Sequence, residues 1–482
     1  MIIHLNFLPK PGETGAGDVL AALFALLDQG RLDAELLPHL RLHLDWIQYR
    51  ANFREPVTVR HAADAQGERM ALAELAVDLR RAPRDGLIDG LGRALASVGA
   101  IERETSGRVV VEDWVPLGES SIWQFNRLFW QRLADWERQS GRGFEAALPS
   151  GRSDANDPAA VADAVGDFWT LLVELDKRGQ LPAEIFALEI GVGSGTRAGL
   201  WLDRFKAIDE ARATGFYPRL RFLLADYSLP TLDRAMSAVE AHRDVVSMIA
   251  TDALNPLRAL SFLRYKILYV HLTNVYDNLP VDELVRRDGQ LYLVETRAYL
   301  PGPVARAIAS AHGVGPAELR PTIARLLETG PDLFGDRERG VAFWRAAWDG
   351  LCLEERLRRL EGTADVPLPP GLHGDDLDEL LATAPADIRF HISRGAVESF
   401  VNTVPLLHPR GYLQVQDIFV ATMDEYRQGF RGPGKLDGSV VNWVNGALLQ
   451  AVGARTGYDV HFAPFRYRAG SRTSILYTTL RE

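Results

Sequence analysis

At 482 residues, the chain is longer than a usual single domain, which predicts two or three folded units. Its formal net charge of −10 disfavours general binding to nucleic acid or anionic membranes, and no run of about 18 apolar residues predicts a membrane span. The single cysteine, Cys352, excludes an internal disulfide framework and no signal peptide is visible, so a cytoplasmic protein is expected.

The first 150 residues are predicted to form a separate, mainly helical region. Apolar residues recur at helical spacing over 20–27, 32–46, 86–98 and 123–136. Residues 100–104 and 108–111 flank a Ser-Gly turn and predict a hairpin. A helix followed by a hairpin resembles a winged-helix module, which in an acidic chain would serve dimerisation or a substrate rather than DNA. His39 and His43 lie on the second predicted helix without a third ligand, so no metal site is expected.

A segment rich in Gly, Ser, Asp and Pro predicts a linker over 140–157. Beyond it, a helix capped at Asp157 begins an alternation of helices and strands that is typical of a parallel sheet. Strands are expected over 185–188, 220–225, 245–250, 266–272 and 412–420, with a closing hairpin over 458–465 and 474–479. The pattern predicts an α/β, doubly wound, Rossmann-like domain with a terminal antiparallel hairpin over 157–300 and 386–482, and a helical insertion or lid over 301–385.

The most specific motif follows the first of these strands. Glu189 is followed by Gly191, Gly193 and Gly195 at alternate positions, ahead of a predicted helix. Glycines permit positive φ and a close approach of the backbone to a ligand. A dinucleotide fingerprint would need glycine in place of Thr196, and an acid before the loop would repel a pyrophosphate. The motif resembles motif I of class I methyltransferases that use S-adenosylmethionine (SAM), although a glycine-rich turn that binds nothing has the same pattern.

Acidic residues end successive predicted strands, which would place them along one edge of the sheet. An adenosyl ligand presents ribose hydroxyls, an adenine amino group and a methionine moiety, each of which needs polar partners. Glu189 is expected beside the methionine portion, Asp226 at the ribose diol, and Asp252, directly after Thr251, at the adenine amino group. Each acid could instead cap the helix that follows it. Their order behind the glycine loop favours a shared cofactor site.

Further segments resemble the MidA family of SAM-dependent methyltransferases. The likeness is carried by 222–228, 276–285 and 431–437, within a similarity that covers roughly 180–300 and 390–480. The family includes enzymes that methylate a protein arginine, so the resemblance implies SAM as the cofactor and a protein side chain as the acceptor. Thr273-Asn274 stands where the family has Asn-Glu, and the first 150 residues differ from the family's N-terminal segment.

Candidate catalytic residues follow the fourth predicted strand. Asp277 is expected to line the acceptor side, where a carboxylate could orient a guanidinium or accept a proton, although it could equally cap the segment after Pro280. Tyr276 could wall the cofactor or be a core aromatic. Asp417, near the end of the fifth strand, is the next candidate, with a turn cap as its alternative. His271 and His391 could act as bases, but histidines in apolar contexts are usually core residues.

Three functions therefore stay open. The first is a SAM-dependent methyltransferase that acts on a protein side chain, and the second is a methyltransferase for a small molecule. The third is a methyltransferase-like scaffold or assembly factor without turnover. A nicotinamide-dependent oxidoreductase is disfavoured by the glycine spacing. The predicted partners are a protein or small-molecule methyl acceptor and a second copy in a homodimer, without nucleic acid or membrane.

Overall fold

The computed structural model describes residues 2–6, 14–47, 49, 51–66, 68–96, 108–148, 151–428 and 432–481. Within these ranges the strands form a seven-stranded sheet, a ten-stranded sheet and two short two-stranded sheets. The first is called the parallel sheet below, and the ten-stranded one is called the second sheet.

The parallel sheet has the predicted Rossmann-like form. Its strands in chain order are β1 (Ile185–Ile190), β2 (Leu220–Asp226), β3 (Val246–Ala250), β4 (Ile267–Thr273), β5 (Leu407–Asp417), β6 (Tyr458–Pro464) and β7 (Ser474–Leu480). Across the sheet their order is β6-β7-β5-β4-β1-β2-β3. The strands β1 to β5 run parallel, and β7 is antiparallel to both β5 and β6. The α/β, doubly wound fold and its terminal antiparallel hairpin are thus confirmed.

Helices cover the parallel sheet at Pro158–Lys177, Thr196–Arg212, Leu229–Ala238, Pro256–Leu260, Arg394–Thr403 and Gly446–Thr456. The first begins where the sequence predicts, because the Asp157 side chain accepts the backbone N–H groups of Ala159 and Ala160 at 2.9 and 3.2 Å. The second buries Trp201 and Phe205, one turn apart, against the sheet. Among the described helices, none combines the length and apolar character needed to cross a bilayer.

The second sheet is the main departure from the predicted organisation. Its strands are Ile2–Asn6, Leu40–Asp45, Val57–Ala63, Arg69–Asp78, Val109–Val110, Val115–Pro116, Asp282–Arg287, Gln290–Leu300, Cys352–Leu360 and Ile388–Ile392. The N-terminal region is therefore a mixture of helix and strand rather than mainly helical. Residues 282–300, which the sequence places with the cofactor domain, pair into this sheet as a hairpin. The hairpin turns at Asp288 and Gly289, which have φ of 50° and 74°.

The predicted helix over 32–46 is wrong. The described structure has a 3-10 helix over Ala34–His39 and then the strand Leu40–Asp45, so His39 and His43 do not share a helix. In this strand leucines alternate with charged or imidazole side chains, which is the period of a half-buried strand. Its leucines pack under the helices Ala16–Asp28 and Leu87–Ala96, which confirm two of the predicted helices.

The remaining N-terminal predictions have mixed outcomes. Residues 123–136 belong to two successive helices, Ser121–Gln131 and Leu133–Ser140. Residues 100–104, the first strand of the predicted winged-helix hairpin, lie outside the described residues. The second strand survives only as Val109–Val110, which pairs with the long strand Gln290–Leu300.

The insertion over 301–385 is mainly helical, as predicted, but it also contains a strand. Its helices are Gly302–His312, Leu319–Thr329, Arg337–Gly350 and Gly374–Thr383. The strand Cys352–Leu360 runs between Val57–Ala63 and Gln290–Leu300 in the second sheet, where Leu353, Leu357 and Leu360 are buried. Charged residues fill most of the other positions of this strand, which hides its period in the sequence.

Candidate functional site

A cavity of about 730 Å³ opens beyond the carboxyl ends of β1 to β4 and is called the glycine-loop cavity below. Strand order changes direction between β1 and β4, which is where open α/β sheets place their ligands. The opposite wall comes from the segment 117–156, with a third wall from residues 468–473. Asp154 joins these two walls, because its carboxylate accepts the hydroxyls of Ser471 and Thr473 at 2.7 and 2.9 Å. The predicted linker over 140–157 is therefore part of the cavity.

Each glycine of the loop after β1 has a backbone conformation or a neighbour that disfavours a side chain. Gly191, Gly193 and Gly195 have φ of 75°, 54° and 77°, which is the left-handed region that side chains disfavour. A Cβ on Gly191 would lie 2.5 Å from Val275 Cγ2, and one on Gly195 would lie 2.7 Å from Ala235 Cα. A Cβ on Gly193 would meet no described heavy atom within 4 Å. Gly191 and Gly193 line the cavity, whereas Gly195 is required by packing at the start of the next helix.

Glu189 lines the cavity but is already paired. Arg197, on the helix after the loop, donates from Nη1 to Glu189 Oε2 at 2.8 Å and from Nη2 to the Tyr269 hydroxyl at 2.6 Å. Both members of the ion pair are buried. Burial raises the pKa of the Glu189 carboxyl, while the charge of Arg197 opposes that shift. The loop therefore carries no uncompensated negative charge at this position.

Asp226 lies at the end of β2 and lines the cavity. Its Oδ1 accepts the backbone N–H of Ser228 at 2.9 Å. Burial raises the pKa of this carboxyl to about 6, and the backbone N–H groups of Ser228 and Tyr227 limit the shift. A carboxylate held this way, with a half-buried tyrosine beside it, can accept hydrogen bonds from the hydroxyls of a ligand.

Thr251 and Asp252 follow β3 on the same edge. The buried Oγ1 of Thr251 has no hydrogen-bond partner among the described residues, although its backbone N–H donates to the Asp226 carbonyl at 2.9 Å. Asp252 accepts the N–H of Leu254 through Oδ1 at 3.0 Å, within a turn, whereas Asn255 caps the helix that follows. Its Oδ2 lies 3.6 Å from Nη2 of Arg127, which reaches down from the opposite wall.

A pair of buried carboxyl groups occupies the other end of the cavity. Asp417 accepts the backbone N–H groups of Tyr276 and Asp277 through Oδ2, at 2.9 and 3.2 Å. Asp277 lines the cavity and accepts from Nδ2 of Asn278 at 2.7 Å. Burial and the charge of Asp417 raise the pKa of Asp277 well above its ordinary value, and burial raises the pKa of Asp417 to about 7. Two neighbouring buried carboxyls disfavour being ionised together.

The side chain of Tyr276 does not wall the cavity. It is fully buried in the apolar core and is not among the residues that line the glycine-loop cavity. Its contribution near the site is the backbone N–H that Asp417 accepts. The aromatic residue that faces Asp277 instead is Tyr49, whose pKa burial and the charge of Asp277 both raise.

The two histidines named as candidate bases are core residues. His271 is fully buried, with Nε2 2.7 Å from Thr273 Oγ1, and burial holds its pKa well below the ordinary value. His391 lies on the second sheet, with Nε2 3.2 Å from Glu283 Oε1. Within the described ranges, no group of three histidine, cysteine or acidic side chains could hold a metal ion.

Several residues that line the cavity were not predicted from the sequence. Glu145 Oε1 lies 3.5 Å from the Ser194 hydroxyl of the glycine loop and 3.3 Å from Asn156 Nδ2, so a second carboxylate faces the loop. Arg127 and Tyr49 reach the cavity from separate elements. Tyr227 could have been found, because it directly follows Asp226 in the sequence. The others carry no local signal, since only tertiary packing brings them to the strand ends.

The buried side-chain amide of Asn126 holds the helix Ser121–Gln131 beside the cavity. Asn126 donates to the Asn278 carbonyl at 2.7 Å and accepts the Val440 N–H at 2.9 Å, while Trp130 donates to Asn278 Oδ1 at 3.1 Å.

We expect Asn126→Ala to lower the free energy of unfolding by about 2 kcal/mol, because it leaves two buried backbone groups unpaired. Urea denaturation measures this. Gln124→Ala, at an exposed position of the same helix, is the control and should change stability by less than about 0.5 kcal/mol. Equal stability of the two variants would contradict the anchoring role.

No protein-family model and no curated protein sequence matches this chain. Solved structures that align with it include a candidate methyl transferase from Burkholderia thailandensis bound to S-adenosyl-homocysteine (12% identity, 76% of this chain and 88% of that chain, TM-score 0.44). The CcbJ methyltransferase from Streptomyces caelestis aligns at 12% identity over 62% and 84% of the two chains, with a TM-score of 0.28. An O-methyltransferase family protein from Burkholderia thailandensis aligns at 12% identity over 74% and 72%, also at 0.28. All three TM-scores lie below 0.5, so the fold rests on the strand order of this chain, and the MidA resemblance stays a prediction.

Proposed function

We propose that the chain is a class I methyltransferase that uses SAM as its methyl donor. One observation carries this proposal. The glycine loop after β1 opens into a cavity whose next two strand ends supply Asp226 and Asp252. That arrangement suits a ligand with a nucleoside at one end and a charged amino acid at the other.

The residues present fit such a ligand. Gly193 leaves open space in the loop, and the unpartnered Oγ1 of Thr251 offers a hydrogen bond at the far end. In this proposal Asp226 accepts from the ribose hydroxyls, and Thr251 with Asp252 lies at the adenine. Arg197 already neutralises Glu189. In this proposal the partner of the methionine ammonium group is therefore the carboxylate of Glu145, which lies beside the glycine loop.

When bound, SAM supplies a methyl group on a sulfonium, which is already a good leaving group. The chain must therefore align the acceptor, exclude water and remove a proton where the acceptor atom carries one. Side chains from 118–148 and 152–156 line the cavity, and in this proposal they shield the reacting atoms from water. In this proposal Asp277 accepts the proton, because it lines the cavity and burial raises its pKa well above the ordinary value.

The lining of the cavity favours a compact, largely apolar acceptor. Apolar side chains of the opposite wall line the cavity, namely Trp123, Phe129, Trp130, Phe144 and Leu148. Such a pocket would hold the body of a small molecule by apolar burial and leave one polar atom for Asp277. A protein side chain such as arginine is the alternative, since a guanidinium could pair with the same carboxylate.

Titration calorimetry tests the cofactor. We expect SAM and S-adenosyl-homocysteine to bind and NAD not to bind. Asp226→Ala should weaken SAM binding at least tenfold, because it removes hydrogen bonds to a charged acceptor. Asp233→Ala, an exposed acid on the next helix, is the control and should bind as the wild type does. Binding of NAD without SAM would overturn the proposal in favour of an oxidoreductase.

Transfer of labelled methyl to a cell lysate, separated into protein and small-molecule fractions, tests the acceptor. Label in the small-molecule fraction supports the apolar acceptor, and label in protein supports a side chain. No label in either fraction, with SAM bound, would point to the scaffold.

A further inference from the structure

The second sheet encloses a charged cavity of about 230 Å³, called the arginine cavity below. It is lined from the strand Leu40–Asp45 and from Asp282–Arg287 and Ile388–Ile392, which lie toward opposite ends of the strand order. The sheet therefore curls until its ends face each other. An ion pair between Arg41 and Asp288 closes the gap between them.

The charged residues occupy alternate positions on the strands, so they share the inner face. Arg41, His43 and Asp45 alternate on one strand, and the leucines between them pack on the opposite face. Arg389 and His391 alternate in the same way on another. The inner face of this curled sheet is therefore polar, because charged and apolar residues alternate along these strands.

Among the side chains that line the arginine cavity, arginines outnumber acids, although acids outside the lining, such as Glu355 and Asp288, pair with some of them. The arginines that line it are Arg41, Arg60, Arg286, Arg287, Arg389 and Arg427, and the acids are Asp45, Glu74, Glu283 and Asp387. His43 lines the cavity without adding positive charge. Burial, reinforced by Arg60, Arg287 and Arg389, lowers the pKa of His43 to about 3, so its imidazole is neutral.

One guanidinium is incompletely satisfied. Arg60 is 4% exposed and lines the cavity. It pairs with Glu355, and its Nη1 lies 3.6 Å from Glu74 Oε2. Its buried Nη2 has no hydrogen-bond partner among the described residues. Glu74 is shared, because Arg287 pairs with it as well. The charge of Arg60 is thus paired, but a buried N–H donor without an acceptor is unfavourable, and a bound oxyanion would supply that acceptor.

We propose that the arginine cavity binds a small ligand through an oxyanionic group, a phosphate or a carboxylate, held by Arg60 and Arg287. Guanidinium groups present paired N–H donors that match these oxyanions. At about 30 Å³ per water, the cavity has room for roughly seven waters, which is enough for such a group. The site is separate from the glycine-loop cavity and does not depend on the function proposed for it.

Binding of inorganic phosphate and of malonate, measured by calorimetry and by thermal unfolding against chloride at equal ionic strength, tests this proposal. We expect at least one oxyanion to bind and to raise the melting temperature beyond chloride. Arg60→Met should weaken that binding at least tenfold. Glu74→Gln should strengthen it severalfold, because it removes the carboxylate that competes for both guanidinium groups. Arg306→Met, at an exposed position of the insertion, is the control and should bind as the wild type does.

The two probes also separate the ligand classes. Tighter binding of phosphate indicates a phosphate-bearing ligand, and tighter binding of malonate indicates a carboxylate. No effect of either beyond chloride would overturn the proposal, and so would equal affinity in the wild type and Arg60→Met. If Arg60→Met does not fold, Glu74→Gln decides, since an affinity that is unchanged or weaker there contradicts an anion held by Arg60 and Arg287.

Discussion

Gly193→Val is expected to abolish SAM binding while the protein stays folded. The glycine has φ of 54° and lines the glycine-loop cavity, and a Cβ there would have no described heavy atom within 4 Å apart from its chain neighbours. A substituted side chain would therefore begin in space open to a ligand rather than in packed protein. We expect the SAM dissociation constant to rise at least 100-fold, which corresponds to about 2.7 kcal/mol. The measurement is titration calorimetry with SAM.

The control for Gly193→Val must share its backbone strain. Gly215 has φ of 70°, and a Cβ there also meets no described atom within 4 Å, but it lies outside the residues that line the cavity. A side chain in the left-handed region costs about 1–2 kcal/mol, so both variants should lose similar stability. Gly215→Val should bind SAM normally. Normal SAM binding by Gly193→Val would show that the ligand lies elsewhere.

The parallel sheet could be predicted because each of its elements carries a local signal. β1 to β4 are short apolar runs, and Asp157 with Pro158 marks the start of the first helix. The second sheet could not be predicted in the same way. Its strand Leu40–Asp45 alternates leucine with charged residues, and its inner face is charged rather than apolar. Burial of that charged face depends on strands that lie far apart in the sequence.

The same contrast applies to the candidate site. Most of the predicted residues line the cavity, because parallel strands bring their carboxyl ends to one edge; they are Gly191, Gly193, Asp226, Thr251, Asp252 and Asp277. The sequence could not reveal that Arg197 neutralises Glu189, or that Glu145 faces the loop from a segment that looked like a linker. Nor could it separate Tyr276 from its neighbour Asp277, since one residue points into the core and the next into the cavity.

Asp277→Asn is expected to lower the rate of methyl transfer by about 10²- to 10⁴-fold with little change in SAM affinity. The substitution keeps the size of the side chain and can keep its hydrogen bond with Asn278, but it removes the proton acceptor. The assay is the initial rate of label transfer at saturating SAM, in the lysate fraction that accepts the methyl. Asp233→Asn, an exposed acid, is the control and should retain the wild-type rate. A wild-type rate in Asp277→Asn would exclude Asp277 as the base.

The pH dependence of that rate distinguishes a base from a merely structural carboxyl. Burial raises the pKa of Asp417 to about 7 and, together with the charge of Asp417, raises that of Asp277. A base works when ionised, so the wild-type rate should rise with pH well above about 4, where an ordinary carboxyl titrates. Asp417→Asn removes the neighbouring charge, favours ionisation of Asp277 and should shift the rise to lower pH. A rise that stays at the same pH in Asp417→Asn would contradict the influence of the Asp417 charge on the pKa of Asp277.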